Sequence, residues 1–165
     1  MTKDAIQTFS YRISQASRSG LVVILYDMAD TYLEDAKSLP VFAEGADEQK
    51  LREYGNALRK CGQVIDLLIK GLDFQYEISN NLFQIYLHIK RTLVTCMACR
   101  DLEQLKVIQG MLHKLRNSFY EVSKTDKSGP LMKNTQQIYS GLTYSSMGGS
   151  NEVAGNVSEN RGFMV

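Results

Sequence analysis

The sequence predicts an all-α protein, an antiparallel four-helix bundle with a short N-terminal arm. Three observations predict it. Apolar residues recur at alternating spacings of three and four along four long segments, the period of a helix face and not of a strand. The connections between those segments are short, which makes consecutive helices antiparallel neighbours. Only 2 prolines occur in 165 residues, and both, Pro40 and Pro130, fall outside the periodic segments.

Met1 to Ala16 carries Ile6, Phe9, Tyr11 and Ile13 among polar residues. That is more apolar surface than a frayed terminus needs, and it reads either as a short helix or as an extended arm. Ser17 is a good N-cap for the first long helix, because its hydroxyl can accept from a backbone N–H one turn in. Gly20 stands where a capping-box Glu would be, so that box is incomplete. The helix is expected to end near Leu39, before Pro40. On a helical wheel Asp27, Asp30, Glu34 and Lys37 share one side, with only Val23 among them, and read as a solvated face. The apolar residues cover an arc of roughly 200°, whereas a helix facing a single core needs about 100°. This helix therefore needs more than one apolar partner. Leu21, Leu25, Met28 and Tyr32 are expected to face the bundle. The Val22, Tyr26, Ala29, Leu33 stripe and Ile24 are expected at the edges, where another segment binds.

Leu39 to Ala46 reads as a loop and Asp47 as the next N-cap. Leu51, Tyr54, Leu58, Cys61, Ile65, Leu68 and Leu72 then form a bundle-type seam of about six turns. Gly55, Gly62 and Gly71 each weaken that helix by about 1 kcal/mol relative to Ala; they mark either a close approach by a neighbour or plain tolerance. Asp73 to Ile78 is a short connection, with Ser79 or Asn80 as the cap of the third helix. That helix carries Leu82, Ile85, Ile89, Leu93 and Cys96, with Tyr86 and Met97 one step round. Asp101 to Gln104 is a capping box that starts the fourth helix with almost no loop. Its seam is Leu102, Leu105, Ile108, Leu112, Leu115, Phe119 and Val122. Beyond Lys124 the composition changes, and half of the 12 glycines lie there. A further short helix is expected over 131–140, ending at Gly141, followed by a Gly/Ser/Asn-rich flexible tail. The expected organisation is an arm at 1–16, a bundle domain at 17–124 and a tail at 125–165.

A net charge of +1, with 19 basic and 18 acidic residues well mixed, gives no electrostatic argument for nucleic acid or an anionic membrane. Lys90, Arg91 and Arg100 do not gather with aromatics into a nucleic-acid platform. No signal-peptide pattern is visible and no apolar run approaches the roughly 18 residues of a membrane span, so no membrane insertion is expected. The 3 cysteines have no framework spacing, which favours a reducing, cytoplasmic compartment. Cys96 and Cys99 form a C-x-x-C within a helix, where redox chemistry would need a thiolate at a helix start and zinc would need further ligands beyond Cys61. Packing is the expected role. His88 and His113 lack the Glu-x-x-His pattern of di-iron bundles and are read as surface or interface residues. No phosphate loop, nucleophile elbow or metalloprotease motif occurs. The expectation is a non-enzyme with no catalytic residues, no metal and no cofactor. Surplus apolar surface remains, either as a binding site or as a surface covered by the arm and tail.

Several ordered motifs add to this. Tyr11, then Gln15-Ala16-Ser17, then Leu25-Tyr26-Asp27 with Leu33 and Ala36, resemble the start of the flagellin export chaperones, the flagellar protein FliS family. Ile65-x-x-Leu68-x-x-x-Leu72-Asp73 is similar to that family's second helix, and Asn81-Leu82-x-x-Ile85-Tyr86 to its Asn-Leu-x-x-Leu-Tyr signature. Asp101 with Leu105, and Leu112-x-x-Leu115-Arg116, resemble its last helix. Arg18, Met28, Tyr76-Glu77 and Phe119 depart from the family's usual Pro, Gly, Gly-Gly and Trp. The resemblance implies a cytoplasmic chaperone that binds the disordered C-terminal segment of flagellin, prevents premature filament polymerisation, and presents the subunit to the flagellar type III export gate. With the wide apolar arc, it makes Val22, Ile24, Tyr26, Ala29, Leu33, Leu82 and Tyr86 the expected client contacts. Ile6, Phe9, Tyr11 and Ile13 would cover the groove until client displaces them, and Ile138, Tyr139, Leu142 and Tyr144 of the tail would dock as an internal client mimic. The competing expectation is a helical scaffold or adaptor that self-associates, as a homodimer for instance, with no flagellin client.

Overall fold

The structure is a computed structural model that describes residues 2–42 and 45–132. All regular structure among the described residues is helical: α1 (Lys3–Ser14), α2 (Arg18–Lys37), α3 (Glu48–Lys70), α4 (Glu77–Cys99) and α5 (Leu102–Thr125). The further helix expected over 131–140, and the docking expected of Ile138, Tyr139, Leu142 and Tyr144, lie outside the described residues beyond Met132.

The arm is a helix. Thr2 caps α1 by accepting from the Ala5 N–H at 3.3 Å. Ser17 caps α2 as the sequence predicts, its hydroxyl accepting from the Gly20 N–H at 3.2 Å. Asp101 caps α5 through the Gln104 N–H at 3.0 Å. Asp47 occupies the N-cap of α3 but makes no side-chain cap bond. The start of α4 differs from expectation: it begins at Glu77, with Tyr76 and not Ser79 or Asn80 as N-cap. The reason lies in the connection. Asp73 Oδ1 accepts from the Gln75 N–H at 3.0 Å. This local Asx turn reverses the chain early, and Glu77 then places its carboxylate in the first turn.

α2, α3, α4 and α5 form a closed ring of neighbours, each packed on the next and α5 on α2, while α1 lies against α2. The pairing is antiparallel. Along α2 and α5, Asp27 meets Arg116, Asp30 meets His113 and Glu34 meets Gln109. Along α3 and α4, Asp66 meets Lys90 and the Tyr54 hydroxyl donates to the Cys96 carbonyl at 2.9 Å. The shared core is built from the predicted seams, with Leu58, Ile65, Ile89, Leu93, Leu105, Ile108 and Leu112 all buried. Val122, placed on the last seam, is exposed.

The segment after α2 is more than a loop. Val41 is fully buried at the end of the core. The Arg100 guanidinium donates to the Val41 carbonyl at 3.3 Å, and the Phe42 ring stands edge-on to Tyr54 at 5.8 Å. Arg100 itself has φ 52°, the left-handed conformation that ends α4 with minimal chain before α5 begins. A side chain at Gly55 or Gly62 would meet nothing within 4 Å, so tolerance and not close approach explains these glycines.

Candidate functional site

Two apolar sides of α2 leave the helix in different directions. Tyr26, Ala29, Leu33 and Ala36 follow an i, i+3, i+4 progression and are buried in the bundle core. Leu21, Val22, Leu25, Met28 and Tyr32 are only half-buried. The expected sides are thereby exchanged in part: Tyr26, Ala29 and Leu33 are core and not edge, Val22 stays at the edge, and Leu25, Met28 and Tyr32 pack on the core only half-buried. The polar residues show why. Gln109, His113 and Arg116 lie in one stripe of α5, facing the acidic stripe of α2. Registering those two stripes turns Tyr26 and Leu33 inward and leaves Leu21 and Leu25 at the edge.

The acidic residues are consequently an interhelical seam and not a solvated face. Arg12 of α1 and Arg116 of α5 both donate to Asp27, the latter at 2.9 Å. His113 Nε2 lies 2.8 Å from Asp30, which also accepts from Gln109 Nε2 at 2.7 Å. Gln109 is buried, and its amide also donates to Glu34. That bond, followed by Lys37 at 2.8 Å, holds the Glu34 carboxyl below its ordinary range.

At the centre, the hydroxyls of Tyr26 and Tyr86 hydrogen-bond each other across the bundle, and the Phe119 ring sits 5.6 Å from Tyr26. Burial pushes both phenols up. Burial pushes Tyr54 up to about 12, Cys61 up to about 12 and Cys96 up to about 11. Cys96 and Cys61 are buried while Cys99 is exposed, so the C-x-x-C pair is split between core and surface.

Beside the half-buried side of α2, next to α3, lies a groove of about 310 Å³ whose accessible lining is mostly apolar. Leu21, Val22 and Leu25 form one wall, Leu67 and Leu72 the other, and Phe119 and Tyr86 contribute the base. Leu67 is 49% exposed, an apolar residue held out of the core. Alongside the groove, α1 covers the adjoining surface of α2. Phe9 and Ile13 pack with Ala16 on Leu21, Ile24 and Met28 in a small cluster separate from the main core. A larger recess of about 400 Å³ between Tyr32 and Lys60 is lined by Asp35, Glu53 and Asn56 and is too polar to hold an apolar segment.

Of the expected contact residues, Val22 lines the groove and Leu82 is half-buried outside it. Tyr86 reaches its base while 1% exposed. Tyr26, Ala29 and Leu33 are sealed in the core, and Ile24 is covered by α1. Of the arm residues, Phe9 and Ile13 cover α2, whereas Ile6 and Tyr11 are about half exposed. Leu21, Leu25, Leu67, Leu72 and Phe119 line the groove, although none of them was expected as a contact. Leu67 carried a readable signal, because it stands one position before the seam residue Leu68 with no core role of its own.

Among the described residues no group of His, Cys, Asp and Glu is placed to hold a metal ion, and no helix is long and apolar enough to cross a membrane. The family model described as "Flagellar protein FliS" matches residues 1–126. Comparison with curated proteins gave no significant match.

Proposed function

The chain belongs to the flagellar protein FliS family, a family of flagellar export chaperones, and from this premise we propose that it binds the disordered C-terminal segment of flagellin in the groove between α2 and α3. Binding there would keep the subunit from polymerising prematurely in the cytoplasm and present it to the flagellar export gate. The observation that carries this reading is the continuity of apolar surface along α2. The open wall Leu21–Val22–Leu25 adjoins Ile24 and Met28, on which α1 packs. An amphipathic segment can lay its apolar side along such a groove as it becomes helical. Ordering a disordered client costs about 2–5 kcal/mol or more, so a long contact is needed to offset it. The groove alone is short for that purpose, and the surface beneath α1 would lengthen it.

Isothermal calorimetry with a flagellin C-terminal peptide tests the client. Binding with a Kd of about 10 μM or tighter, near −7 kcal/mol, is the expected result. Absence of heat at that concentration, with the bundle folded by circular dichroism, overturns the reading. Phe9→Ala loosens α1 and should tighten peptide binding by about threefold, because less of the protein then has the α2 surface beside its groove covered. Unchanged affinity in that variant would remove α1 from the binding cycle.

Phe74, Tyr76 and Ile78 at the α3–α4 connection favour a second reading, since all are more than half exposed. A self-associating scaffold would use that surface. Light scattering that finds a dimer, abolished by Tyr76→Ser, together with no peptide binding, would select it.

A further inference from the structure

The chain does not simply leave the bundle after α5. Asp126 ends that helix in an extended conformation and turns back onto the start of α2. One carboxylate oxygen accepts from both the hydroxyl and the N–H of Ser19, the latter at 3.3 Å. Its other oxygen accepts from the N–H of Ser128 at 2.9 Å and from the Ser128 hydroxyl. The carboxylate thus supplies an acceptor to one of the unpaired N–H groups of the first turn of α2, where a negative charge is also favoured by the helix dipole. These bonds, those from Ser128 first, hold the Asp126 carboxyl well below the usual carboxylate range.

Gly129 and Pro130 then carry the chain across the α1–α2 turn. The Leu131 N–H donates to the Ala16 carbonyl at 3.0 Å. Ala16 is itself buried with Phe9 and Ile24, in the cluster that seats α1 on α2. The Leu131 side chain lies at the end of the apolar groove, beside Arg18 and Leu21. One strap of residues therefore touches the end of α5, the start of α2, the hinge of α1 and the groove. It also lies almost entirely beyond the residues that the family model matches.

We propose that the strap Asp126–Leu131 is an intramolecular gate, which closes the α1 end of the groove with Leu131 and pins the α1 hinge through the Ala16 carbonyl. Its two actions are separable. The leucine side chain excludes an occupant from the groove end, and the backbone bond keeps α1 from swinging off α2. Asp126 is the anchor for both. That an occupant is flagellin rests on the reading above, but the gate itself does not.

The test uses the full chain and three variants. Leu131→Ser removes the groove contact and keeps the N–H. Leu131→Pro keeps an apolar ring but has no N–H to donate. Asp126→Ala removes the anchor, with Ser19→Ala as a second anchor variant should the first fail to fold. Leu131→Ser should raise fluorescence of the apolar dye anilinonaphthalene sulfonate by about twofold through newly exposed groove surface, with α1 amide exchange unchanged. Leu131→Pro should speed exchange of the α1 amides by about tenfold, through more frequent local opening, with a smaller dye effect. Asp126→Ala should show both and bind the flagellin peptide about fivefold more tightly. Each variant is compared at equal helicity and equal urea midpoint, so that dye uptake reports the groove and not unfolding. Dye binding and exchange equal to the parent chain in all variants would overturn the gate. Dye and exchange responses with a measurable peptide affinity that is identical throughout would keep the gate and reject the groove as the peptide's site. Dye and exchange responses without peptide binding by any form would keep the gate and reject the flagellin reading.

Discussion

Tyr26, Ala29, Leu33 and Ala36 are sealed in the bundle, whereas Leu21, Val22, Leu25, Met28 and Tyr32 on the same helix stay partly open. The two sides are nearly equal in apolar content. What separates them is the company each keeps. The sealed side is held by three helices at once, with Tyr86 and Phe119 closing over Tyr26. The open side has α3 on one flank and, on the other, a 12-residue helix resting on a cluster of its own. Apolar character alone does not decide which surface becomes core. The partner helix that also satisfies the polar stripe beside it decides.

The sharpest way to break the contrast is chemical. At pH 8 a thiol with a pKa of about 11, as at Cys96, is thiolate in roughly one molecule in a thousand. Cys61, at about 12, is lower still. Labelling with a disulfide reagent should therefore modify the exposed Cys99 well before either buried thiol. The linkage has a definite sign. Both folded pKa values are raised above the ordinary 9.0, so the stability held by the neutral thiols is complete below pH 9 and is lost as pH rises toward 11–12. A urea midpoint that rose over that range would contradict the burial of these residues.

Next in size is a pair of truncations. Leu33→Ala on the sealed side should cost about 2–5 kcal/mol of unfolding free energy. Leu25→Ala on the open side should cost less than about 1.5 kcal/mol and weaken flagellin-peptide binding by about tenfold. Equal losses of stability would erase the distinction between the sides. A smaller effect probes the tyrosine pair. Tyr26→Phe strands a buried Tyr86 hydroxyl and should cost about 1–3 kcal/mol, while the double change Tyr26→Phe with Tyr86→Phe should recover much of it. Additive losses in that cycle would mean that the hydroxyls do not depend on each other. The smallest expected change is a gain. Gly55→Ala lies in a helix interior with open space at its Cβ, and should raise stability by about 1 kcal/mol.

Much of the bundle was legible in the sequence because local chemistry specifies it. Ser17 and Asp101 are polar acceptors placed just ahead of periodic apolar runs, and both act as the caps they resemble. The seam residues Leu58, Ile65, Ile89, Leu93, Leu105 and Leu112 recur at a period that only a helix face satisfies, and all are buried. The orientation of α2 was not legible from its own residues. An arc of roughly 200° has no unique inward direction. The deciding information sat on another helix, where Gln109, His113 and Arg116 match the spacing of Glu34, Asp30 and Asp27 in the antiparallel sense. The start of α4 was missed for a different reason. Two good capping residues, Ser79 and Asn80, outweighed an Asx turn at Asp73 whose effect depends on the chain reversing there. Val41 was unreadable as core, since the apolar run Val41-Phe42-Ala43 after a proline is too short to carry a period.

The double engagement of Asp27 bears on what lifting α1 off α2 would cost. Its carboxylate accepts from Arg12 on α1 and from Arg116 on α5. If α1 lifts away, Arg12 goes into water with it, and Asp27 keeps its bond to Arg116. No lone carboxylate is abandoned in a half-dry crevice, the situation that makes breaking a partly buried ion pair expensive. The return journey is equally undemanding, because Asp27 is already oriented by Arg116 when Arg12 comes back. If α1 opens for an occupant as proposed, this charge arrangement would let it reseat without a stranded ion holding it in either position.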